Sequence, residues 1–207
     1  DSVAVRSPNH PVFRQLIEGC DFPLAAPSAN PFAYISPTRA SHVEANLGDR
    51  IEYILEGGPC EYGVESTIVD LRDPTNPKIL RYGALPVEKI ENALKKRLPR
   101  PTPKLDQEII AIAPGSLPKH YSPRTPLELR TSTVSERELI ESDQTTAYLL
   151  IRKPKSARAA NIHWLSEKGK LETIASSLFA KLRELDDAEY QRIIAEEAPE
   201  LGLGLAI

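Results

Sequence analysis

Residues 146–151 read Thr146-Ala147-Tyr148-Leu149-Leu150-Ile151, and this short apolar run predicts a buried β-strand. Strands and helices alternate along the chain around it. The pattern predicts strands at 126–130, 161–165 and 191–195, and helices at 134–141 and 167–185. Such an order is typical of a small, mainly parallel sheet packed by helices. This part of the chain has neither a Gly-x-Gly-x-x-Gly loop nor a P-loop, so we do not expect it to hold a nucleotide by itself.

Prolines separate this C-terminal unit from the residues before it. The chain has 19 prolines in 207 residues, and three of them alternate in Leu98-Pro99-Arg100-Pro101-Thr102-Pro103. Alternating proline stiffens a chain and disfavours a helix, so this stretch indicates a linker. We therefore expect an N-terminal domain over 1–100, a linker over 101–125 and a C-terminal domain over 126–207.

A candidate binding loop lies in the N-terminal part, at Leu24-Ala25-Ala26-Pro27-Ser28-Ala29-Asn30. It leaves a strand predicted at 22–26, where small polar side chains and backbone N–H groups can meet a ligand. Beyond the loop, Ser36 is a natural N-cap and Pro37 suits the first helical position, which predicts a helix over 37–47. A helix N-terminus favours an anion, so phosphate is the first ligand class expected. Ordinary turns and caps use the same residues, which leaves a purely structural role open.

Two arginines stand at the ends of predicted strands in this N-terminal part. Strands are predicted at 2–6, 51–55, 68–71 and 78–83, and helices from Pro11 to the stop at Gly19 and over 86–98. Arg6 ends the first of these strands and Arg81 lies near the end of the last. A guanidinium can donate two hydrogen bonds to one phosphate or carboxylate, although a solvated surface charge is the alternative for each arginine.

Five short motifs occur in one order along the N-terminal part: Ser2-x-x-x-Arg6; Ala26-Pro27-Ser28-Ala29-Asn30 with Ser36-Pro37-Thr38; Gly57-Gly58-Pro59-Cys60; Gly63-Val64-Glu65-Ser66-Thr67-Ile68-Val69-Asp70; and Leu80-Arg81-x-Gly83. Together they resemble the YrdC-like threonylcarbamoyl-AMP synthase family. Ala113-Pro114-Gly115 and Pro118-Lys119-His120-Tyr121-Ser122-Pro123 resemble the linker of its longer members. The resemblance implies an incomplete YrdC-like α/β twisted mixed-sheet domain, followed by a small Rossmann-like, mainly parallel α/β domain.

The resemblance also implies an activity. Such enzymes use ATP, L-threonine and bicarbonate to make threonylcarbamoyl-AMP and pyrophosphate, toward the t6A37 modification of tRNA. ATP is then a substrate, with Mg²⁺ held mainly through its phosphates. Two alternatives stay open: a YrdC-like enzyme that forms a carbamoyl-adenylate, and a non-catalytic RNA-binding module.

The family pattern implies a role for nine residues. Arg6, the backbone at Ala26 and Ser66 are expected at the threonine. Ser2, Ser28, Ser36 and Arg81 are expected at ATP, which Tyr121 would cover from the linker. Asn30 is expected to shape the loop. The pattern assigns no catalytic side chain and no metal ligand. For Tyr121, the alternative to covering ATP is a purely structural role in packing.

Similar enzymes carry a further segment before the point where this chain starts, so the resemblance implies an N-terminally truncated chain. We expect residues 1–207 alone to release no pyrophosphate from ATP, threonine and bicarbonate, and a measured release would contradict this.

Composition fits a soluble protein of the reducing cytoplasm. Two cysteines form neither a disulfide framework nor a zinc spacing, and no apolar run reaches the roughly 18 residues of a membrane span. The net charge of −3 favours no nucleic acid overall, yet basic clusters at 95–100 and 152–158 leave contact with tRNA or double-stranded RNA possible.

Overall fold

The structure is a computed structural model that describes residues 2–100, 121–155 and 159–207. Most of the predicted linker, with the Ala113-Pro114-Gly115 motif and His120, lies outside the described residues. The N-terminal region (residues 2–100) contains α1 (Pro11–Glu18), α2 (Ala40–Leu47) followed by a 3-10 turn (Gly48–Arg50), β1 (Ile68–Asp70), β2 (Lys78–Arg81) and α3 (Val87–Leu94). The C-terminal region (residues 121–207) contains β3 (Leu127–Arg130), α4 (Glu136–Ile140), β4 (Thr146–Arg152), β5 (Ile162–Ser166), α5 (Leu171–Asp187), β6 (Arg192–Glu196) and a 3-10 turn (Gly202–Ala206).

The C-terminal region is built on one four-stranded sheet. Its order is β3-β6-β4-β5, and every pairing in it is parallel. Side chains alternate between the two faces of a strand, so Leu149 of β4 packs in the same cluster as α5 and Leu150 packs with α4. The two helices therefore cover opposite faces, and the predicted parallel α/β architecture is confirmed.

A serine side chain caps the short helix α4. The hydroxyl of Ser135 accepts a hydrogen bond from the Glu138 N–H, 3.2 Å away, and so satisfies one of the unpaired donors of the first turn. We expect Ser135→Ala to lower the free energy of unfolding by about 1 kcal/mol in urea denaturation. Ser132→Ala, at an exposed position before the helix, is the control and should change it by less than about 0.5 kcal/mol. Equal effects of the two substitutions would contradict a capping role.

The N-terminal region has a smaller sheet. Strands β1 and β2 pair antiparallel, with Ile68 opposite Arg81 and Asp70 opposite Lys78. Helix α3 packs beside this pair through a cluster of Ile79, Val87 and Leu98. Helix α1 and both strands lie within the predicted ranges, although β2 ends at Arg81, two residues before its predicted end, and α3 ends at Leu94, four residues before its predicted end.

Three predicted strands are absent from the described residues: 2–6, 22–26 and 51–55 do not form strands. A strand needs a hydrogen-bonded neighbour, and none of the strands described here pairs with these segments. Their apolar side chains face solvent, with Val3 84 % and Tyr53 85 % exposed. The strands predicted from alternation at 2–6 and 51–55, and from an apolar run at 22–26, are therefore wrong.

The predicted helix over 37–47 begins later than expected. Helix α2 starts at Ala40 with Arg39 as its N-cap, and no side chain caps it. Ser36 is buried and its hydroxyl donates to Glu65 instead, at 2.7 Å. The prediction that Ser36 caps this helix and that Pro37 is its first residue is therefore wrong.

Helix α5 joins the two regions. Ile35 is fully buried in the core cluster beneath α5, and the Gly63 N–H donates to the Ala175 carbonyl at 2.7 Å. Val64 packs against Ala175 and Leu203 in a second shared cluster. In the part of the chain that the structure describes, no helix has both the length and the apolar character needed to cross a bilayer.

Candidate active site at the junction of the two regions

Arg81 is the centre of a polar cluster at the end of β2. Its Nε donates to the Ser66 carbonyl at 3.0 Å, and one terminal nitrogen donates to the Ser66 hydroxyl at 3.1 Å. The other terminal nitrogen donates to the Tyr121 hydroxyl at 2.9 Å. Only 11 % of the Arg81 side chain is exposed. The structure thus brings together three of the residues that the sequence predicts at the site.

Glu65 connects a fourth predicted residue to this cluster. One of its carboxylate oxygens accepts the hydrogen bond from Ser36, and the other lies 3.5 Å from a terminal nitrogen of Arg81. The motifs do not predict this role, although Glu65 directly precedes Ser66 in the sequence. Its carboxylate fixes both the hydroxyl of Ser36 and the direction of the Arg81 guanidinium.

Gly83 allows the backbone of the cluster to pack closely. A Cβ atom at this position would lie 2.2 Å from the Ser66 carbonyl carbon and 2.3 Å from the Thr67 nitrogen. The neighbouring Ala84 N–H donates to the Glu65 carbonyl at 2.8 Å. The segment 65–67 is therefore held against the end of β2 by a contact that only glycine permits.

Tyr121 bridges the two regions from the end of the predicted linker. Its ring stacks on Phe179 of α5 with centroids 5.7 Å apart, while its hydroxyl accepts from Arg81. Burial raises the pKa of this phenol, as does the charge of Glu65, while Arg81 and Arg6 act in the opposite direction. Arg6 is exposed, and its positive charge acts on the Tyr121 phenol.

A cavity of about 900 Å³ opens beside this cluster. Glu65, Arg81 and Tyr121 are part of its polar lining, which also includes charged residues of the C-terminal region, namely Arg124, Glu196, Glu197 and Glu200. Its apolar lining comes mainly from the C-terminal sheet and α5, including Leu149, Leu165, Phe179 and Leu182. An apolar pocket with a few converging polar groups is the usual form of a small-molecule site.

The remaining predicted residues lie outside the hydrogen-bonded cluster. Ser2, Ala26 and Ser28 are exposed and make no side-chain hydrogen bond to the residues that the structure describes. Asn30 donates from Nδ2 to the carbonyl oxygens of Pro31 and Tyr34, at 2.9 and 3.1 Å, across the turn after the loop. Within residues 2–100, 121–155 and 159–207, no group of three or more His, Cys, Asp or Glu side chains is placed to hold a metal ion.

The arrangement defines a class of protein: an α/β protein in which guanidinium and hydroxyl groups face a cavity at the junction of two regions. Residues 1–83 match a protein family described as "Telomere recombination", and residues 85–207 match "Threonylcarbamoyl-AMP synthase, C-terminal domain". The chain belongs to the threonylcarbamoyl-AMP synthase family. The family resemblance drawn from the motifs is confirmed. The two matches meet near residue 84, whereas the predicted domain boundary at 100 stays a prediction.

Individual relatives agree with this assignment. The chain is 34 % identical to proteins named threonylcarbamoyl-AMP synthase from Bacillus subtilis and Pyrococcus abyssi, covering 100 % of this chain and 61 % and 62 % of theirs. The chain thus spans about three fifths of the length of these curated relatives. The crystal structure of P. abyssi Sua5 complexed with L-threonine superimposes with a TM-score of 0.80 at 35 % identity, covering 99 % of this chain and 61 % of that one. The predicted fold class is confirmed.

Proposed function

We propose that this chain is part of a cytoplasmic enzyme that makes threonylcarbamoyl-AMP and pyrophosphate from ATP, L-threonine and bicarbonate, toward t6A37 in tRNA. The observation that carries the proposal is the cluster in which Arg81 contacts Glu65, Ser66 and Tyr121 beside a cavity of about 900 Å³. Two relatives over the whole chain are named threonylcarbamoyl-AMP synthase, and a solved relative is complexed with L-threonine.

The reaction needs cations and alignment more than it needs a protein nucleophile. The threonine amine takes up carbon dioxide, supplied by bicarbonate, to form a carbamate. A carbamate oxygen then attacks the α-phosphorus of ATP, the bond to the bridging oxygen breaks, and pyrophosphate leaves. Two anions must approach each other, so the enzyme has to offset their repulsion and hold them in line. Guanidinium groups at the meeting point supply that positive charge.

The predicted residues divide between the two substrates in this proposal. Arg6, the Ala26 backbone and Ser66 bind threonine. Ser2, Ser28, Ser36 and Arg81 bind ATP, and Tyr121 covers it. The hydrogen bond of 3.1 Å between Arg81 and Ser66 supports a site in which the two substrates adjoin. Asn30 keeps the loop before Tyr34 in shape.

In this proposal, Mg²⁺ binds together with ATP. Mg²⁺ keeps several waters and commonly binds through substrate phosphates and one or two carboxylates. The phosphates of ATP would supply its ligands here. No side chain is assigned to chemical catalysis, and bicarbonate and tRNA stay expected partners.

Titration calorimetry of the full-length protein that contains this chain tests the proposal. ATP with Mg²⁺ is titrated in the absence and in the presence of L-threonine, and we expect threonine to tighten ATP binding because the two ligands adjoin. Carbamoyl phosphate and a duplex RNA are titrated in parallel. Binding of RNA alone would favour the RNA-binding module, and ATP binding linked to carbamoyl phosphate but not to threonine would favour a carbamoyl-adenylate enzyme.

A further inference from the structure

Arg183 belongs to the C-terminal region, and its buried, charged side chain contacts the N-terminal region. It lies on α5, and only 5 % of the residue is exposed. Its guanidinium donates to the carbonyl oxygens of Ile35 and Ser36 and, at 2.8 Å, to Oδ1 of Asn46. These hydrogen-bond partners are neutral oxygens that lie more than 130 residues away in the sequence. A buried cation is costly unless its donors are satisfied, so this arrangement strongly constrains the backbone that it contacts.

The contacted backbone is the one that presents Ser36 to the cluster. Arg183 holds the carbonyl of Ser36 from one side, and Glu65 accepts the hydroxyl of Ser36 from the other at 2.7 Å. Glu65 in turn lies 3.5 Å from Arg81. A continuous series of hydrogen bonds and charges therefore runs from α5 through Ser36 and Glu65 to the guanidinium of Arg81.

An aromatic contact further fixes the geometry of this guanidinium. The Arg183 guanidinium carbon lies 4.8 Å from the centroid of the Tyr34 ring, one residue before Ile35. A planar guanidinium can stack on a ring and still donate in its own plane, whereas a lysine ammonium cannot reproduce both contacts. The site therefore discriminates between arginine and lysine on geometric grounds.

We propose that Arg183 is a positioning residue for the ATP side of the site, which acts from the C-terminal region by fixing the backbone at Ile35 and Ser36. This inference rests on the proposed function, since it assigns Ser36 and Arg81 to ATP. The three residues assigned to threonine, Arg6, Ala26 and Ser66, make no direct hydrogen bond to Arg183 among the described residues, and Ser66 is connected to it only indirectly, through Glu65 and Arg81. Loss of Arg183 should thus weaken the binding of ATP more than the binding of threonine.

Calorimetry on Arg183→Met and Arg183→Lys tests this inference. We expect Arg183→Met to weaken ATP binding by about 10-fold and threonine binding by less than about 2-fold, with Arg183→Lys in between. Arg137→Met is the matched control, because Arg137 is exposed on α4 and pairs with Glu141. A merely structural role would weaken both ligands together, in proportion to the unfolded fraction.

The outcomes separate this inference from the proposed function. A wild-type protein that binds neither ATP nor threonine would refute both. Tight wild-type binding with an unchanged ATP affinity in Arg183→Met, or an equal loss for both ligands, would refute the positioning role alone. If Arg183→Met does not fold, Arg183→Lys and Asn46→Ala carry the test, and each should weaken ATP binding by about 3-fold. Wild-type ATP affinity in both of those variants would overturn the inference.

Discussion

Replacing Arg81 by methionine should weaken ATP binding by about 100-fold in a calorimetric titration. Its guanidinium makes hydrogen bonds to Ser66 and Tyr121 and lies near Glu65, with 11 % of the side chain exposed. In the proposed function, the Arg81 guanidinium also contacts the phosphates of ATP. A hydrogen bond to a charged group contributes about 1.5–3 kcal/mol, so the loss of one such bond to ATP, at about 2.7 kcal/mol, corresponds to this 100-fold loss of affinity. Methionine keeps the apolar stem and removes the charge.

Arg72→Met is the control for this substitution. Arg72 pairs with Asp70 beyond the other end of the β1–β2 pair, where Asp70 lies opposite Lys78 rather than opposite Arg81. Its side chain is 53 % exposed, so we expect ATP affinity within about 2-fold of wild type. Comparable losses in both variants, or a wild-type affinity in Arg81→Met, would contradict the assignment of Arg81 to ATP.

The sequence predicts the C-terminal sheet well because each of its strands and helices has a residue pattern that can be recognised by itself. Strand β4 is an apolar run, and α5 has a continuous apolar stripe, so both can be recognised without knowing their neighbours. Their partners are also in the chain, at β5 and β6, which makes the predicted parallel pairing possible. Local pattern and tertiary structure agree here.

The failed strands show the limit of the same reasoning. Residues 2–6 and 51–55 alternate as a half-buried strand would, but alternation says nothing of whether a hydrogen-bonding neighbour exists. Likewise, Ser36 has the residue type of an N-cap, but its hydroxyl donates to Glu65, 29 residues away. Such competition between local and distant partners is invisible in the sequence pattern.

Some of the site residues can likewise be predicted from the sequence, whereas others are seen only in the structure. Ser36, Ser66, Arg81 and Tyr121 stand in recognisable motifs, and the structure brings them into one hydrogen-bonded cluster. Arg183 and Asp186 lie on the polar side of a helix that looks ordinary in sequence. Their partners are 61 to 152 residues away, so only the folded chain shows what they contact.

The second large effect is expected at Asp186, which holds α5 to the start of the C-terminal region. Its carboxylate accepts from the Tyr34 hydroxyl and Arg124 Nε, both at 2.8 Å, and from the N–H and hydroxyl of Thr125 at 2.8 and 2.9 Å. The side chain is fully buried. Asp186→Asn places an amide donor among these donors, so we expect the free energy of unfolding in urea to fall by about 3 kcal/mol.

Asp187→Asn is the matched control for the stability change. Asp187 also pairs with Arg124, at 2.7 Å, but its side chain is 70 % exposed. An exposed ion pair contributes about 0–1 kcal/mol, so this substitution should have a small effect. Equal losses in the two variants would mean that burial at Asp186 does not matter, which would contradict the argument.

The pH dependence of stability provides an independent test of the same carboxylate. Burial alone would raise the pKa of Asp186, but the hydrogen bonds from Thr125, Arg124 and Tyr34 outweigh it and lower the pKa from 3.8 to about 2. A lowered pKa means that the folded state favours the ionised form, so its stabilisation is fully present above about pH 4 and is lost as the pH falls toward 2. The difference corresponds to about 2 kcal/mol. Between pH 5 and pH 2, the free energy of unfolding of the wild type should therefore fall by about 2 kcal/mol more than that of Asp186→Asn, because the amide does not titrate. Parallel curves of unfolding free energy against pH for the two proteins would contradict this role of the Asp186 carboxylate.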